Sequence, residues 1–241
     1  MGRRWMPGWI VLCAMFCWSS SAFAQNDFWK SWSDGQAELN GYAVETPRYG
    51  TIRKGYAVLI YVTEPFSRSR LVKPDYRPND PDQLTVLKLN RIERFQTGIY
   101  NYALMTSVFT DPVQGFRPLK TSFTSQEWCG HVFEEIRYLS DGVVVETRSY
   151  FDGETSETRL PADIRSEDAL FVMARGLGQG GPVSHKNEKV RMLGASDRRR
   201  LRHQKAIPFT TSLTWGSTRA VEVPAGRFEV RSMKWRRQDG V

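Results

Sequence analysis

Cysteine and histidine are scarce in this 241-residue chain, which contains three of each. Two cysteines, Cys13 and Cys17, lie in an N-terminal stretch with the character of a removable leader, so only Cys129 would remain in the mature protein. A single cysteine cannot form an intramolecular disulfide, and the fold must therefore rest on its apolar core. The 217 residues left after removal of the first 24 suffice, since such a chain buries roughly 70% of its unfolded surface.

The motifs of several enzyme classes are also missing. We find no serine elbow, P-loop, zinc-binding helix pair or calcium loop, and no internal repeat. The glycine-rich residues 176–181 resemble a phosphate cradle, but a dinucleotide fingerprint needs a strand before it and a helix after it. Here a predicted helix precedes the glycines and a polar loop follows, so we interpret them as a linker. The sequence predicts no cofactor and no metal site.

What the chain does have is an export signal in its first 24 residues. Arg3 and Arg4 give a positive start, Trp9–Trp18 form an apolar run, and Ala22-Phe23-Ala24 form a small-x-small cleavage site. The apolar run is shorter than the about 20 residues of a membrane-spanning helix. We expect a mature N-terminus at Gln25 and a periplasmic or secreted location. The alternative is an uncleaved membrane anchor.

The mature chain is patterned as a mainly β protein. A helix is predicted over Gln25–Leu39 and a second over Ala162–Arg175, ended by Gly176. Segments between and after them alternate with a period of two or carry short apolar runs bounded by turn residues. Hairpin turns are predicted at Arg53-Lys54-Gly55, at Gly98 and at Ser140-Asp141-Gly142, the last as a type I′ turn. The predicted strands are Val44–Ile52, Tyr56–Thr63, Leu84–Gln96, Ile99–Phe109, Leu119–Ser125, Trp128–Tyr138, Val143–Phe151, Val190–Leu193, Phe209–Trp215, Ala220–Val223 and Phe228–Trp235.

These elements predict a single β-rich domain over residues 25–241. Its expected architecture is one curved antiparallel hairpin-rich sheet, open or a partial barrel, with two or three helices on it. The chain closes on Asp239-Gly240-Val241, a hairpin-turn signal with no second strand behind it. We expect a C-terminal truncation, which would leave the strand Phe228–Trp235 with an unpaired edge. The alternative is a frayed natural terminus.

The sharpest candidate for chemistry is the segment 126–131, with the sequence QEWCGH. In a strand, Glu127, Cys129 and His131 would share one face, because residues two apart point the same way. An imidazole beside a thiol, with a carboxylate next to it, is the composition of a nucleophile site or part of a metal site. The alternative is a structural role, in which Cys129 is a buried packing residue next to large apolar neighbours.

A dense basic run lies near the middle of the last third of the chain. It holds Arg198, Arg199, Arg200, Arg202 and Lys205. Such a run can bind an anionic membrane surface or nucleic acid, or it can be a solvated loop. Export argues against nucleic acid as a partner, and we expect none. The mature chain would keep 32 basic and 26 acidic residues, a net charge of +6, which also favours an anionic envelope surface.

Several blocks together resemble one family of exported bacterial proteins of unknown function. The resemblance covers about residues 27–155 well and the rest loosely, and family members often carry the label septum formation inhibitor, of the Maf type. Maf proteins resemble cytosolic nucleotide pyrophosphatases, so what the resemblance implies for this chain is a shared fold and not an activity. The blocks are Asp27-Phe28-Trp29, Arg48-Tyr49-Gly50, Ala57–Ile60 with Val62–Phe66, Leu87–Asn90, Thr97–Tyr100, Gln126–Gly130 and Ser149-Tyr150-Phe151.

Three functions follow as hypotheses. The first is a non-enzymatic envelope protein whose concave sheet face binds a lipid-like ligand or a segment of an envelope partner. The second is a thiol-dependent enzyme that uses Cys129 with His131, and the third is a structural module that docks on another envelope protein. An apolar cavity would favour the binding protein, and a cleft in which Cys129 contacts His131 would favour the enzyme. A flat sheet without a pocket would favour the docking module. The aromatic candidates for a groove are Tyr56, Tyr61, Tyr100, Tyr102, Phe109, Phe123 and Phe133.

Overall fold

A computed structural model describes residues 28–75, 79–177 and 188–237 of the chain. The predicted leader, most of the predicted glycine-rich linker and the predicted C-terminal turn lie outside these residues. The described chain is mainly β, as predicted, and forms an open eight-stranded antiparallel sheet and a four-stranded sheet. The strands are β1 (Glu38–Arg48), β2 (Thr51–Ser67), β3 (Gln83–Thr97), β4 (Tyr100–Asp111), β5 (Arg117–Glu127), β6 (Gly130–Tyr138), β7 (Val143–Ser149), β8 (Ser156–Leu160), β9 (Arg165–Ser166), β10 (Glu188–Leu193), β11 (Phe209–Val223) and β12 (Gly226–Arg237).

Three α-helices accompany the strands in the described residues. Residues 28–32 are helical and form α1, while α2 spans Glu167–Leu177 and α3 spans Ser196–Leu201. The prediction of a helix reaching Leu39 was wrong, because β1 already begins at Glu38. The second helix begins five residues later than predicted, because Ser166 caps it: the Ser166 hydroxyl accepts a hydrogen bond from the Asp168 N–H at 3.1 Å.

The large sheet is a meander in which each of the strands β1–β8 pairs with the next one along the chain. Its first turn is Tyr49-Gly50, with φ angles of 53° and 71°, as a two-residue type I′ turn requires. The predicted turn at Arg53-Lys54-Gly55 was wrong. Gly55 lies inside β2, where a Cβ would come within 2.2 Å of the Arg94 carbonyl oxygen, so this glycine allows β2 and β3 to approach.

Two other predicted turns had different outcomes. Gly98 does separate β3 from β4, with φ of 58° in the two-residue turn that joins Thr97 to Tyr100. The type I′ turn expected at Asp141-Gly142 was wrong. Residues 139–142 form a four-residue loop closed by a hydrogen bond of 2.9 Å from the Leu139 N–H to the Gly142 carbonyl oxygen.

One face of the large sheet, here called the inner face, is covered by helices. Leu59, Leu89 and Val108 point to this face from β2, β3 and β4, and pack with Ala169 and Val172 of α2. Aromatic side chains of α1 join the same cluster, with Phe28 and Phe116 in edge-to-face contact at 5.1 Å. Because side chains alternate along a strand, the neighbours of these residues point to the opposite, outer face.

The small sheet has the strand order β12-β11-β10-β9 and contacts the other side of α2. Its strands β9 and β10 are parallel, and α2 lies in the connection between them. Leu170 of α2 packs there against Met192, Phe209 and Leu213. Helix α2 is thus shared by both sheets. Among the described residues, no helix combines the length and apolar character needed to cross a membrane.

Candidate functional site: an apolar groove beside α2

A groove of about 560 Å³ lies between α2 and the inner face of β1, β2 and β3. This volume falls in the range of about 300–1,000 Å³ that is typical of small-molecule sites. The lining is mostly apolar and aromatic: Tyr42, Ala43, Val44, Ala57, Leu59, Tyr61, Phe171 and Ala174.

The sequence produces this groove through small residues placed opposite aromatic ones. Tyr42 of β1 lies directly across from Ala57 of β2, so the tyrosine ring faces a side chain of a single methyl group. On α2, Ala174 also lines the groove with a single methyl group, next to the half-exposed ring of Phe171. Two alanines on facing walls leave open the space that larger residues would fill.

Each charged side chain that lines the groove already has a partner. Arg91 lies 2.6 Å from a carboxylate oxygen of Asp197 in α3, and Arg175 is bonded to Glu38 in β1. Glu93 accepts a hydrogen bond of 2.8 Å from the Thr46 hydroxyl. The groove therefore suits a ligand portion that is apolar and uncharged.

Aromatic rings and a neutral hydroxyl complete the groove. The Arg91 guanidinium lies over the Phe171 ring at 5.6 Å, and the Arg175 guanidinium lies over Trp32 at 5.9 Å. Burial, with smaller effects from Tyr42 and Glu38, raises the pKa of Tyr61 to about 12. Tyr61 therefore keeps its proton at any physiological pH and adds no charge to the groove.

A second cavity, of about 490 Å³, lies between the two sheets. Phe116, Tyr138 and Ile164 line it from the side of the large sheet, and Leu213 and Trp215 line it from the small one. Sequence patterns did not predict this cavity, because its walls come from segments about a hundred residues apart. Its methionines, Met173 and Met233, are the only local sign, since methionine often lines adaptable apolar sites.

The residues of the thiol candidate do not form a row. Trp128 and Cys129 are the two-residue turn between β5 and β6, since Glu127 pairs directly with Gly130. Glu127 is buried on the inner face, whereas His131 is exposed and pairs with Gln126, whose side chain points outward. The side chains of Glu127 and His131 therefore point to opposite faces of the sheet. Both residues border an open depression of about 570 Å³, but Cys129 does not line it.

Cys129 itself is exposed. The prediction that it is a buried packing residue was wrong. Its large neighbour Trp128 was interpreted as a strand residue, but Trp128 is itself a turn residue with 63% of its surface exposed. No group of three or more histidine, cysteine, aspartate or glutamate side chains in the described ranges is placed to hold a metal ion.

The basic run divides between the interior and the surface. Arg199 and Arg200 of α3 are buried on the inner face, where both face the fully buried Glu134 of β6. Arg199 donates to the two Glu134 carboxylate oxygens at 2.5 and 3.1 Å, and Arg200 lies 3.4 Å from one of them. These two arginines therefore cannot form an anion-binding surface.

The other three basic residues remain accessible. Arg198 is half-exposed and bonded to Glu167, while Arg202 and Lys205 are exposed at the C-terminal end of α3 and the segment after it. With Gln204 they line an open depression of about 410 Å³. They stay candidates for an anionic surface.

The aromatic residues predicted to line a groove have different locations. Tyr61 lies in the groove beside α2, as expected. Tyr102 and Phe123 are buried in another inner-face cluster, and Phe109 stacks on Phe66. The remaining ones, Tyr56, Tyr100 and Phe133, are exposed to at least 38%.

Comparisons with known proteins leave the function open. No family model, no curated protein and no solved structure matches the chain. The function therefore has to be inferred from the geometry of the sites.

Proposed function

We propose that this protein is a non-enzymatic binding protein of the bacterial cell envelope, and that the groove beside α2 binds the acyl chain of a lipid. The observation that carries the proposal is an apolar groove whose charged lining residues are all paired. Binding an acyl chain there would bury apolar surface, and each charged lining residue would keep its protein partner.

The size and shape of the groove support this ligand class. Its floor runs along β2 from Ala57 to Tyr61, beside Tyr42–Val44 of β1. Ala57 to Tyr61 covers roughly 13 Å at about 3.3 Å per residue. An elongated apolar floor of this kind fits a chain better than a compact polar metabolite. The phenol of Tyr61, neutral at physiological pH, supplies one hydrogen-bonding group near the chain.

The envelope location belongs to the same proposal. It rests on the leader, with Arg3 and Arg4, the short apolar run and Ala22-Phe23-Ala24. Sequencing the N-terminus of protein isolated from its own cells tests it, and Gln25 is the expected first residue. Recovery of an intact Met1 in the membrane fraction would contradict the proposed location.

The groove is tested with a filling substitution. Ala174→Trp places an indole on the exposed wall of the groove, in α2, without removing any core side chain. We expect the affinity for a pyrene-labelled fatty acid, followed by pyrene fluorescence, to fall by about tenfold or more because the apolar space is occupied.

Ala220→Trp is the matched control, since Ala220 is an exposed residue of β11 outside both cavities. It should bind the probe as the unchanged chain does. Equal affinity in the unchanged chain and in Ala174→Trp would place the ligand elsewhere, and absence of any binding would refute the proposed function. Native mass spectrometry of protein purified from its own envelope would then identify the natural lipid.

A further inference from the structure

Exposed apolar side chains are concentrated at one end of the large sheet. In an antiparallel meander, every second turn lies at the same end, so the turns β1–β2, β3–β4, β5–β6 and β7–β8 form one row. Each of these four turns carries one large apolar or aromatic residue, here called the tip residues, with 63–68% of its surface exposed. The tip residues are Tyr49, Ile99, Trp128 and Tyr150.

Contacts between neighbouring turns make this a continuous row. Tyr100, which follows Ile99, meets Trp128 edge to face with ring centroids 5.8 Å apart. The Tyr150 ring lies so close to β6 that a Cβ on Gly130 would come within 2.3 Å of it. With strands about 4.8 Å apart, four alternate turns extend over about 30 Å.

The composition of the row fits a membrane interface. Trp and Tyr have an apolar ring and a polar group, and they are enriched where a surface meets the headgroup region of a bilayer. The tip residues also stand on turns, as a line of separate projections and not as a wide flat patch. Such a line can insert shallowly among lipid headgroups while the strands remain outside.

Charge near the row favours an anionic partner. Lys54 and Arg94 are exposed on strands that lead into the first two turns. The end of α3 brings Arg202 to the same place, because the Leu201 carbonyl accepts a hydrogen bond from Arg48 beside the first turn. The mature chain beginning at Gln25 would have a net charge of +6, from 32 basic and 26 acidic residues. Lipid headgroups attract such cations over a Debye length of about 10 Å.

The charge is not uniform along the row. Asp152 lies in the fourth turn, and Glu45 lies across from Lys54 on β1. The second and third turns have no exposed carboxylate in the turn itself. Ile99 and Trp128 are therefore the residues that should contact the membrane most closely.

We propose that the tip residues dock the protein on the surface of a lipid bilayer that contains anionic lipid. This surface is distinct from the groove beside α2 and does not depend on what the groove binds. Docking would place that groove near a membrane, from which an acyl chain can be taken or to which it can be delivered.

The test is vesicle co-sedimentation of the mature chain beginning at Gln25, which holds every element described above. The vesicles are either phosphatidylcholine alone or phosphatidylcholine with phosphatidylglycerol. We expect binding to the anionic vesicles, weakened by high salt, and a loss of about tenfold or more in the double variant Ile99→Ser/Trp128→Ser.

The matched control is Leu39→Ser/Val113→Ser. Leu39 and Val113 are exposed by 66% and 64%, like the tip residues, but lie at the opposite end of the sheet. This variant should bind vesicles as the unchanged chain does. Equal losses in both double variants would overturn the proposal, and so would no binding of the unchanged chain. Self-association of the unchanged chain that the Ile99→Ser/Trp128→Ser variant abolishes, without vesicle binding, would assign the row to a second copy of the chain instead.

Discussion

Replacement of Glu134 by glutamine tests how the interior of the large sheet is held together. The side chain of Glu134 is fully buried, and it receives two charge-assisted hydrogen bonds from Arg199 and one of 3.3 Å from Thr147. Arg200 lies 3.4 Å away on the same side. Glutamine preserves the volume, removes the negative charge and turns an NH₂ group toward two guanidinium groups.

The size of the effect follows from these contacts. A hydrogen bond to a charged group contributes about 1.5–3 kcal/mol, and Arg199 makes two of them to Glu134. Arg200 keeps a second partner, Glu154, at 3.7 Å. Removing the Glu134 charge therefore costs less free energy at Arg200 than at Arg199. Breaking a buried ion pair from one side costs about 3–5 kcal/mol. We therefore expect Glu134→Gln to lower the free energy of unfolding by about 3–4 kcal/mol.

Urea unfolding followed by circular dichroism measures this change. With a slope of about 2–3 kcal/mol per molar urea, the midpoint should fall by about 1–2 M. Glu157→Gln, which alters an exposed carboxylate of β8, is the control and should stay within about 0.5 kcal/mol. A loss below about 1 kcal/mol in Glu134→Gln would refute the conclusion that this carboxylate fixes α3 to the inner face. The double variant Glu134→Leu/Arg199→Met should recover part of the loss, because no single charge is left without its partner.

Three further outcomes are expected. Gly176→Ala should lower the free energy of unfolding by about 1–3 kcal/mol, because a Cβ there would come within 2.2 Å of the buried Phe116 ring. Gly41→Ala, which has open space around it, should lower it by less than half as much in the same urea or thermal unfolding experiment, and equal losses would contradict this account. The free energy of unfolding should decline by about 2–3 kcal/mol as the pH rises from about 10 to about 12, since the pKa of Tyr61 is about 10 in the unfolded chain and about 12 in the folded one. Urea unfolding across this pH range should show a shallower decline of that free energy in Tyr61→Phe. Folded protein should be alkylated by iodoacetamide at its exposed Cys129 without loss of probe binding; a rate that drops when His131 is replaced by alanine would instead indicate an activated thiolate.

The hairpin pattern was predictable because it depends on local chemistry. Period-two alternation and turn residues such as Gly98 identified most strands of the large sheet, since a turn needs only its own few residues. The first turn was misplaced because the sequence offers two glycines, Gly50 and Gly55, and only the contact between β2 and Arg94 decides which one turns. That contact joins residues about forty positions apart, which no local pattern reports.

The site residues were less predictable for the same reason. Tyr56 and Tyr61 lie on opposite faces of β2, but β2 is apolar on both faces, so its alternation did not indicate which face is the inner one. The basic run has the composition of a solvated loop, and only the position of Glu134, about 65 residues earlier, explains why Arg199 and Arg200 are buried. The groove depends on Phe171 and Ala174 of α2, whose docking position is likewise set by long-range packing.

The parallel pairing of β9 with β10 has a consequence for folding kinetics. Each strand of the large sheet pairs with its neighbour in sequence, so that sheet has a low contact order and its hairpins can form early. The pair β9–β10 instead forms only after α2 and the residues that follow it have brought the two strands together, because parallel strands need a crossover connection. One wall of the groove belongs to α2, so a binding-competent groove exists only after this late step. A ligand that binds there would stabilise the docked state of α2 by mass action. Hydrogen exchange should then slow in α2 more than in β5–β7 when the fatty-acid probe is added.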